Sequence, residues 1–558
     1  MFSLSRTRGA VALLGMALLA ACSNDGKVAG GTEAESTIAL QVQLADGTPA
    51  ARSRVRILPA DFLPDGKDLT EWSETDGDGF FEVPMEPGAY KVEMRHVDGT
   101  SAAGAVYAVS LESNASVVDT VKLQELRAIE GFVLLGNSEP VIRIPGLDRF
   151  VVPDSAGYFV IDSLPTGDFG ILFGNPQFAE SAMVTATAGD TLYVSVSDSS
   201  VQVVTPDAMP ASSYPGKDWG EHEALLSMID GYAVGTLGAA GVSDSLGNIE
   251  SAEGEICIVT TTEDYIIVED TTNVDSLGNA TTMAVIAPGS LRECAYKDGP
   301  TWVLFEKSGT YNLQSPLRLK KDKTIDGRGR DIRIAGMGVL TDGSSNLIFE
   351  NITFTAPAIT VLDTSSRRAL SLHNGTHHVW VDHCTFEEYP LVELDVKRGT
   401  HNVTVSWSRF ENAQTGVLFG LAGDIISDTA QNLSMHHNYF AGLDDDGILS
   451  HGGELHAYNN FFDSVKKSGV VCSDSARCLV EKNIFNNGMP VTLYRWYNDD
   501  GSPVDSTVGF VAMSENVFAA GGEAIDGDAR GYKPDYKYSA DLADADLAWR
   551  VREGSGVR

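Results

Sequence analysis

Positive charge is what this 558-residue chain has least of: 40 lysines and arginines stand against 77 aspartates and glutamates, a formal net charge of −37. No basic face is available to displace phosphate counterions, which argues against a nucleic-acid partner. The same deficit sits awkwardly with a polyanionic substrate. Cysteine is also sparse, six residues with no CxxC and no Cys/His zinc spacing. No stretch reaches 18 apolar residues, so no membrane-spanning helix is expected. What remains is the composition of an ordinary soluble globular protein, 43% hydrophobic and 21% charged. Its length exceeds one core, which predicts two to four domains.

Residues 1–22 read as a targeting segment. Arg6 and Arg8 precede the apolar run "AVALLGMALLAA", and small residues Ala20 and Ala21 stand before Cys22. This resembles a bacterial lipoprotein signal, with Cys22 the lipidated first residue of the mature chain. Ser23 after it favours, by the same resemblance, the outer membrane and the cell surface. The only membrane contact expected is through that anchor. Export allows disulfides. Cys472 and Cys478 bracket "SDSAR", Cys257 and Cys294 are a second possible pair, and Cys384 reads as a buried free thiol.

After a polar tether, residues 23–35, an internal repeat marks two short β modules, 36–124 and 125–204. "DGDGFFEVPMEP" from Asp76 matches "DSAGYFVIDSLP" from Asp154 at a constant offset of 78: Asp76/Asp154, Gly79/Gly157, Phe81/Phe159, Val83/Ile161, Pro87/Pro165. Asp-x-x-Gly supplies a turn, and the aromatic-x-aliphatic alternation a strand with one buried face. The modules resemble carboxypeptidase-regulatory-like β-sandwiches, which implies spacing or glycan binding. A Pro- and Ser-rich linker, 205–220, closes this half.

From about residue 221 to 540 a strand-like phrase recurs and ends in phenylalanine: "NLIFENITF", "HHVWVDHCTF", "HNVTVSWSRF", "QNLSMHHNYF", "GELHAYNNFF", "RCLVEKNIF", "FVAMSENVF". Phe354, Phe386, Phe410, Phe440, Phe462, Phe485 and Phe518 follow at gaps of 32, 24, 30, 22, 23 and 33 residues. A fixed phrase with variable loops is the signature of a solenoid whose coils share one core. Asn438, Asn460, Asn483 and Asn516 each stand two before the phenylalanine and can form an amide ladder along the axis. The fold class predicted is all-β: a right-handed parallel β-helix preceded by two small β-sandwich modules. Residues 541–558 read as a tail.

The motifs then point to a family. "GSLRECAYKDGPTWVLFEKSGTYNL", "LRLKKDKTIDGRG", "HHVWVDHCTF", "LDVKRGTHNVTVSWSRF" and "MHHNYF…LHAYNNFF" resemble, in order, phrases of pectate lyase family 1. The resemblance implies a monomeric lyase acting on plant cell-wall pectin or polygalacturonate. In that chemistry a base removes the proton α to a uronate carboxylate and the glycosidic oxygen leaves. Ca²⁺ and basic side chains stabilise the enediolate-like charge.

Carried over residue by residue, the resemblance places Asp395 at a calcium-ligand aspartate and Lys397 at a substrate-binding lysine. Leu391 replaces a second carboxylate; Glu393, on the same strand face as Leu391 and Asp395, partly compensates. Ser366 and Arg368 stand where the family has aspartates, with Asp363 nearby, and Thr415 replaces a lysine. Asp446 falls at the catalytic arginine and His451 at a second arginine. Two unit charges about 5 Å apart at an effective dielectric near 20 interact by roughly 3 kcal/mol. Exchanging arginine for aspartate beside a uronate therefore swings the energy by about 6 kcal/mol.

Three resolutions follow. Asp444 and Asp446, with Asp445 pointing away, bind Ca²⁺; or they act as acid and base in hydrolysis of a less charged glycan; or the triplet is a solvated turn. His451 suits a general base near neutral pH. Nine of the eleven histidines lie between His373 and His456, of which His383, His437 and His456 fall in strand phrases and are expected to pack. Arg367, Arg368 and Arg398 are candidates for uronate binding. The expected site therefore has Lys397, His451 and Asp446 in catalysis, Arg398 and Arg368 on substrate, and Asp395, Glu393 and Asp444 on Ca²⁺. A glycoside hydrolase using Asp444 and Asp446, or a noncatalytic glycan-binding surface protein, are the alternatives.

Overall fold

The computed structural model describes residues 36–65, 71–98, 101–135, 141–153, 158–174, 181–197, 200–204, 211–274, 280–356, 368–421, 431–486, 490–493, 508–519 and 527–558. Cys22, Asp154, Gly157, Asp363, Ser366 and Arg367 lie outside these residues.

From Glu255 onward the chain winds as a right-handed parallel β-helix with three long parallel sheets. Each coil contributes one strand to each sheet in turn. Sheet 1 runs from Glu255–Val259 through Ser345–Glu350, His377–Asp382 and His401–Ser406 to Phe510–Ser514. Sheet 2 runs from Gly309–Leu313 to Val517–Phe518, and sheet 3 from Leu317–Arg318 through Arg368–His373, Val392–Val396, Thr415–Gly420 and Ile448–His451 to Val491–Leu493. Among the described residues they hold ten, nine and eight strands.

The phenylalanine column forms as the repeat predicts. Phe354, Phe386, Phe410, Phe440, Phe462 and Phe485 stack with ring centroids 4.7–4.9 Å apart and nearly parallel planes, and Phe518 follows at 5.8 Å. That spacing is the inter-strand distance, so identical rings one coil apart fall into van der Waals register. The asparagine ladder forms beside it. Asn438 Nδ2 donates to Asn460 Oδ1 at 3.0 Å, Asn460 Nδ2 to Asn483 Oδ1 at 3.0 Å, and Asn483 Nδ2 to Asn516 Oδ1 at 3.1 Å. Ser408 extends it downward, its amide donating to Asn438 Oδ1 at 2.9 Å.

Each phrase is two strands with a corner between them, where one continuous strand was expected. Ser345–Glu350 belongs to sheet 1 and Thr353–Thr355 to sheet 2. The corner residues Asn351, His383, Trp407, His437, Asn459, Lys482 and Glu515 all adopt φ between 45° and 56°, the left-handed region. The same left-handed corner therefore repeats once per coil. His383, Trp407 and His437 stack upon one another outside the core at these corners. Their packing is real, but it lies on the corner rather than in the solenoid interior.

Three other expectations need correction. One mixed eight-stranded sheet runs through both N-terminal regions, joined by Ala103↔Glu125 and Gly104↔Gln124, so the regions 36–124 and 125–204 share a sheet while keeping separate apolar cores. Part of the expected linker docks: Ser212 Oγ accepts from the Gly329 amide at 3.0 Å, and the helix Trp219–Leu226 begins inside it. The stretch 541–558 is no free tail. Its helix Ala545–Gly554 buries Leu547, Ala548 and Val551 against Phe132 and Tyr193 on one side and Tyr439, Phe461 and Ile484 on the other. Both considered disulfides form, Cys257–Cys294 and Cys472–Cys478, and Cys384 is a buried free thiol.

Candidate functional site

Sheet 3 carries the residues singled out from the sequence. Leu370, Leu372, Leu394, Val396, Val417, Phe419 and Ile448 point into the core, so alternation turns Ser371, Asp395, Leu418 and Leu449 outward. The register Ser371↔Asp395↔Leu418↔Leu449 lines these up along the axis. Continuing it one residue past the inward row places His373, Lys397, Gly420, His451 and Ser473 in a second row.

Asp395, fully buried, is the hub. Its Oδ2 accepts from Lys397 Nζ at 2.7 Å, lies 2.9 Å from Arg368 Nε and 3.0 Å from His373 Nε2, while Oδ1 has no hydrogen-bond partner. Burial works against its charge, but the His373 bond and the Lys397 ammonium hold the carboxyl below the usual carboxylate range. One carboxylate facing two permanent cations leaves a local positive pole in a strongly acidic chain. Arg398, the next residue after Lys397, sits exposed on the turn at φ 58°. Lys397, Asp395 and Arg368 are therefore brought together as expected, and His373, which the sequence reading passed over, joins them from one coil earlier.

His451 occupies the Lys397 row two strands along, about 10 Å away at ordinary strand spacing. Its Nδ1 meets Asp474 Oδ2 at 2.8 Å and Ser473 Oγ at 2.7 Å. A ring whose Nδ1–H is held by a carboxylate keeps Nε2 as its acceptor, the arrangement of an oriented base. Asp474 and Ser473 were missed because they follow His451 by one whole coil; only the register of neighbouring coils reveals them.

The aspartate triplet does not join this site. Thr415, Asp446 and Ser468 share a row at the opposite end of the sheet-3 strands, five residues along from His451 and so about 16 Å away. Asp444 Oδ1 pairs with Lys466 Nζ at 2.5 Å, both more than 60% exposed. Asp445 pairs with Lys467 at 2.6 Å and accepts from Gln414 Nε2 at 2.9 Å. Asp446 Oδ1 accepts from the Ser468 amide at 3.2 Å, and burial raises its carboxyl above the ordinary range. This is a turn whose carboxylates are met by the lysines of the next coil. Asp446 leaves the catalytic set and Asp444 the metal set, because the strand length between the two ends of sheet 3 separates them from Lys397.

The family profile described as pectate lyase matches residues 310–557. Residues 310–557 form a pectate lyase-family domain. Pectate lyase 5 of Ambrosia artemisiifolia is 27% identical over 284 residues, 48% of this chain and 64% of that protein. Pectate trisaccharide-lyase of Bacillus licheniformis is 26% identical over 242 residues, 42% of this chain and 66% of that one. The chain thus spans just under two thirds of the length of these relatives. A crystal structure of a Bacillus sp. N165 pectate lyase in complex with trigalacturonate aligns with TM-score 0.41 and 22% identity, covering 59% of this chain and 98% of that one.

Calcium is the cofactor the family resemblance implies, and the described residues of this pectate lyase-family domain do not fit it. A Ca²⁺ site needs six to eight oxygens, several of them ionised. Asp395 Oδ2 is already surrounded by three nitrogen groups. Glu393 does not share the Asp395 face as alternation predicted: it falls in the row of Ala369 and Gly416, which face the apolar core, and is wholly buried with no well-formed hydrogen bond to either oxygen. Burial pushes that carboxyl well above the carboxylate range, and the Glu411 and Glu387 charges add to the push, which works against the ionised form a Ca²⁺ ligand needs. Asp444 lies at the far turn. The expected trio of Asp395, Glu393 and Asp444 therefore does not converge.

Proposed function

We propose that the pectate lyase-family domain cleaves uronate-rich, pectin-like polysaccharide by β-elimination. The observation that carries this reading is the cationic cluster around Asp395, in line with an oriented His451 on one outward face. Lys397 and Arg368 pair with the uronate carboxylate and stabilise the charge that moves onto it in the transition state. His451, with Nδ1 held by Asp474, takes the proton from the carbon α to that carboxylate. The electrons of the broken C–H bond form a carbon–carbon double bond, and the glycosidic C–O bond breaks. The departing oxygen leaves as a hydroxyl after taking up a proton.

A polymer substrate is supported by what lies beside the cluster. A cavity of about 840 Å³ is lined by the cations Lys297, Arg318, Lys320, Lys321 and Lys323, which outnumber its carboxylates Asp298, Asp322 and Asp342 and pair in part with them. Arg318, Leu340, Ser371 and Asp395 share one row, so this basic groove opens three strand spacings, about 14 Å, before the hub. Cations are scarce in this chain, and a groove gathering them suits a polyanion.

The test is polygalacturonate incubated with the full chain, with and without added Ca²⁺ and chelator, followed by ultraviolet absorbance of the unsaturated product. Lys397→Ala is expected to abolish product, and Asp474→Asn to lower turnover with a shifted pH profile. No unsaturated product from polygalacturonate or pectin under any metal condition overturns the reading. New reducing ends without unsaturation would instead favour the hydrolase. The chelator arm reports whether the reaction needs calcium.

The same reading includes export and display at the cell surface through Cys22, as a monomer on plant cell-wall polysaccharide. Two disulfides are in keeping with an oxidising compartment. Incorporation of labelled fatty acid that survives Cys22→Ala would overturn the anchor.

A further inference from the structure

Sheet 1 holds a second cluster, on an outward face distinct from sheet 3. Alternation buries Leu347, Phe349, Val379 and Val381 in the core and turns Glu350 and Asp382 outward as direct neighbours on adjacent strands. The row runs Asp326, Glu350, Asp382, Ser406, His436. Asp326 is satisfied by Arg328 at 2.8 Å and by Trp302 Nε1 at 3.1 Å. Asp382 is held by His383 Nδ1 and by Ser406 Oγ, each at 2.5 Å. Glu350 Oε2 has no partner, although the residue is only 4% exposed. His383 Nε2, on a residue 3% exposed, has none either.

We propose that Glu350, Asp382 and His383 bind one divalent metal ion of the borderline class, such as Zn²⁺ or Mn²⁺. One ligand atom from each lies within 4.8 Å of the others. Two carboxylates and an imidazole form a mixed nitrogen and oxygen set that suits such ions better than Ca²⁺. Two buried atoms, Glu350 Oε2 and His383 Nε2, are left without partners, and buried polar groups in folded proteins are rarely left so. Access exists: a cavity of about 260 Å³ bounded by Met228, Trp380, Trp407 and Arg558 reaches Asp382 and His383. Since Glu350 and Asp382 come from successive coils, bound metal would clamp two rungs together at the corner, and the site makes no use of the sheet-3 residues.

The experiment uses the untagged full chain, freed of metal with chelator and titrated with ZnCl₂ by calorimetry. One equivalent is expected, with a metal-dependent rise in unfolding temperature. Affinity should fall at least tenfold in Glu350→Gln and in His383→Gln, while Lys397→Ala binds as the unaltered protein does. Should the variants fold poorly, Co²⁺ added to the unaltered chain should give ligand-field absorption bands that Zn²⁺ abolishes. Absence of stoichiometric Zn²⁺ binding, full affinity in folded Glu350→Gln, or displacement of Zn²⁺ by equimolar Ca²⁺ would each overturn the proposal.

Discussion

Asn460 is where the β-helix is most exposed to a single substitution. Its Oδ1 accepts from the Asn438 amide and from Asn438 Nδ2, both at 3.0 Å, and its Nδ2 donates to Met435 O at 2.8 Å and Asn483 Oδ1 at 3.0 Å. Asn460→Ala deletes all four. At about 1 kcal/mol net for each, the direct loss is about 4 kcal/mol. Some of the partners keep a second bond: Asn438 Nδ2 still reaches Val405 O, and Asn483 Oδ1 still accepts the residue-460 amide. The Asn438 amide does not, and stranding a buried donor adds about 1–2 kcal/mol. The expected total is about 5 kcal/mol, at the upper end of what one substitution does. Guanidinium unfolding followed by fluorescence of the buried Trp302 and Trp380 reports on the β-helix directly. The midpoint should fall with the slope unchanged. Asn460→Asp should lose nearly as much, because it keeps the acceptor but sets a carboxylate against Asn483 Oδ1. Asn248→Ala, on an exposed turn, should cost under about 1 kcal/mol. A loss below about 1 kcal/mol for Asn460→Ala would refute the claim that the ladder carries stability along the axis.

Other outcomes follow from the same structure. Replacing Asp444 and Asp445 together by Ala should leave cleavage of polygalacturonate within about twofold, since their charges are met by surface lysines; a large loss in the initial rate would return the triplet to the site. Burial lowers the pKa of His222 and of His377 to about 4. Between about 6.5 and about 4 the unfolded chain then binds more protons than the folded one, so stability falls as pH drops through that window and levels off below it. For fully buried His222 the total is about 3 kcal/mol. His222→Gln should flatten that limb in denaturation midpoints measured across pH, and an unchanged limb would show that His222 is not its source. A separate loss should set in at about pH 4, where the unfolded Asp395 carboxyl takes up protons, and level off only below the pH at which the depressed folded carboxyl protonates.

The repeat made the fold legible because one coil's environment is the next coil's environment. The same aromatic at the same place in seven phrases can satisfy only a column, and the amides two residues earlier can satisfy only a ladder. The corner between sheets 1 and 2 left no such trace. Its positions are filled by Asn, His, Trp, Lys and Glu, with a shared left-handed backbone and no shared side-chain type. The docked helix Ala545–Gly554 was also invisible, since its buried face is short and completes its core with residues far apart in the chain, Phe132 and Tyr193 with Tyr439, Phe461 and Ile484.

Sequence alone settled which residues repeat, and with them the solenoid and its core column; the cysteine pairs stayed candidates until the structure joined them. Only the tertiary structure decided which charges meet. Asp395 is joined by Arg368 and His373 from the preceding coil, His451 by Asp474 from the following one, and Glu350 by Asp382 across a strand pair. Coil lengths vary with their loops, so a fixed spacing cannot forecast these partners. The same register that unites Lys397 and His451 at one end of sheet 3 leaves the aspartate triplet at the other. Side-chain chemistry is local to a residue, whereas a site is set by how neighbouring coils align, and that alignment exists only once the core has packed.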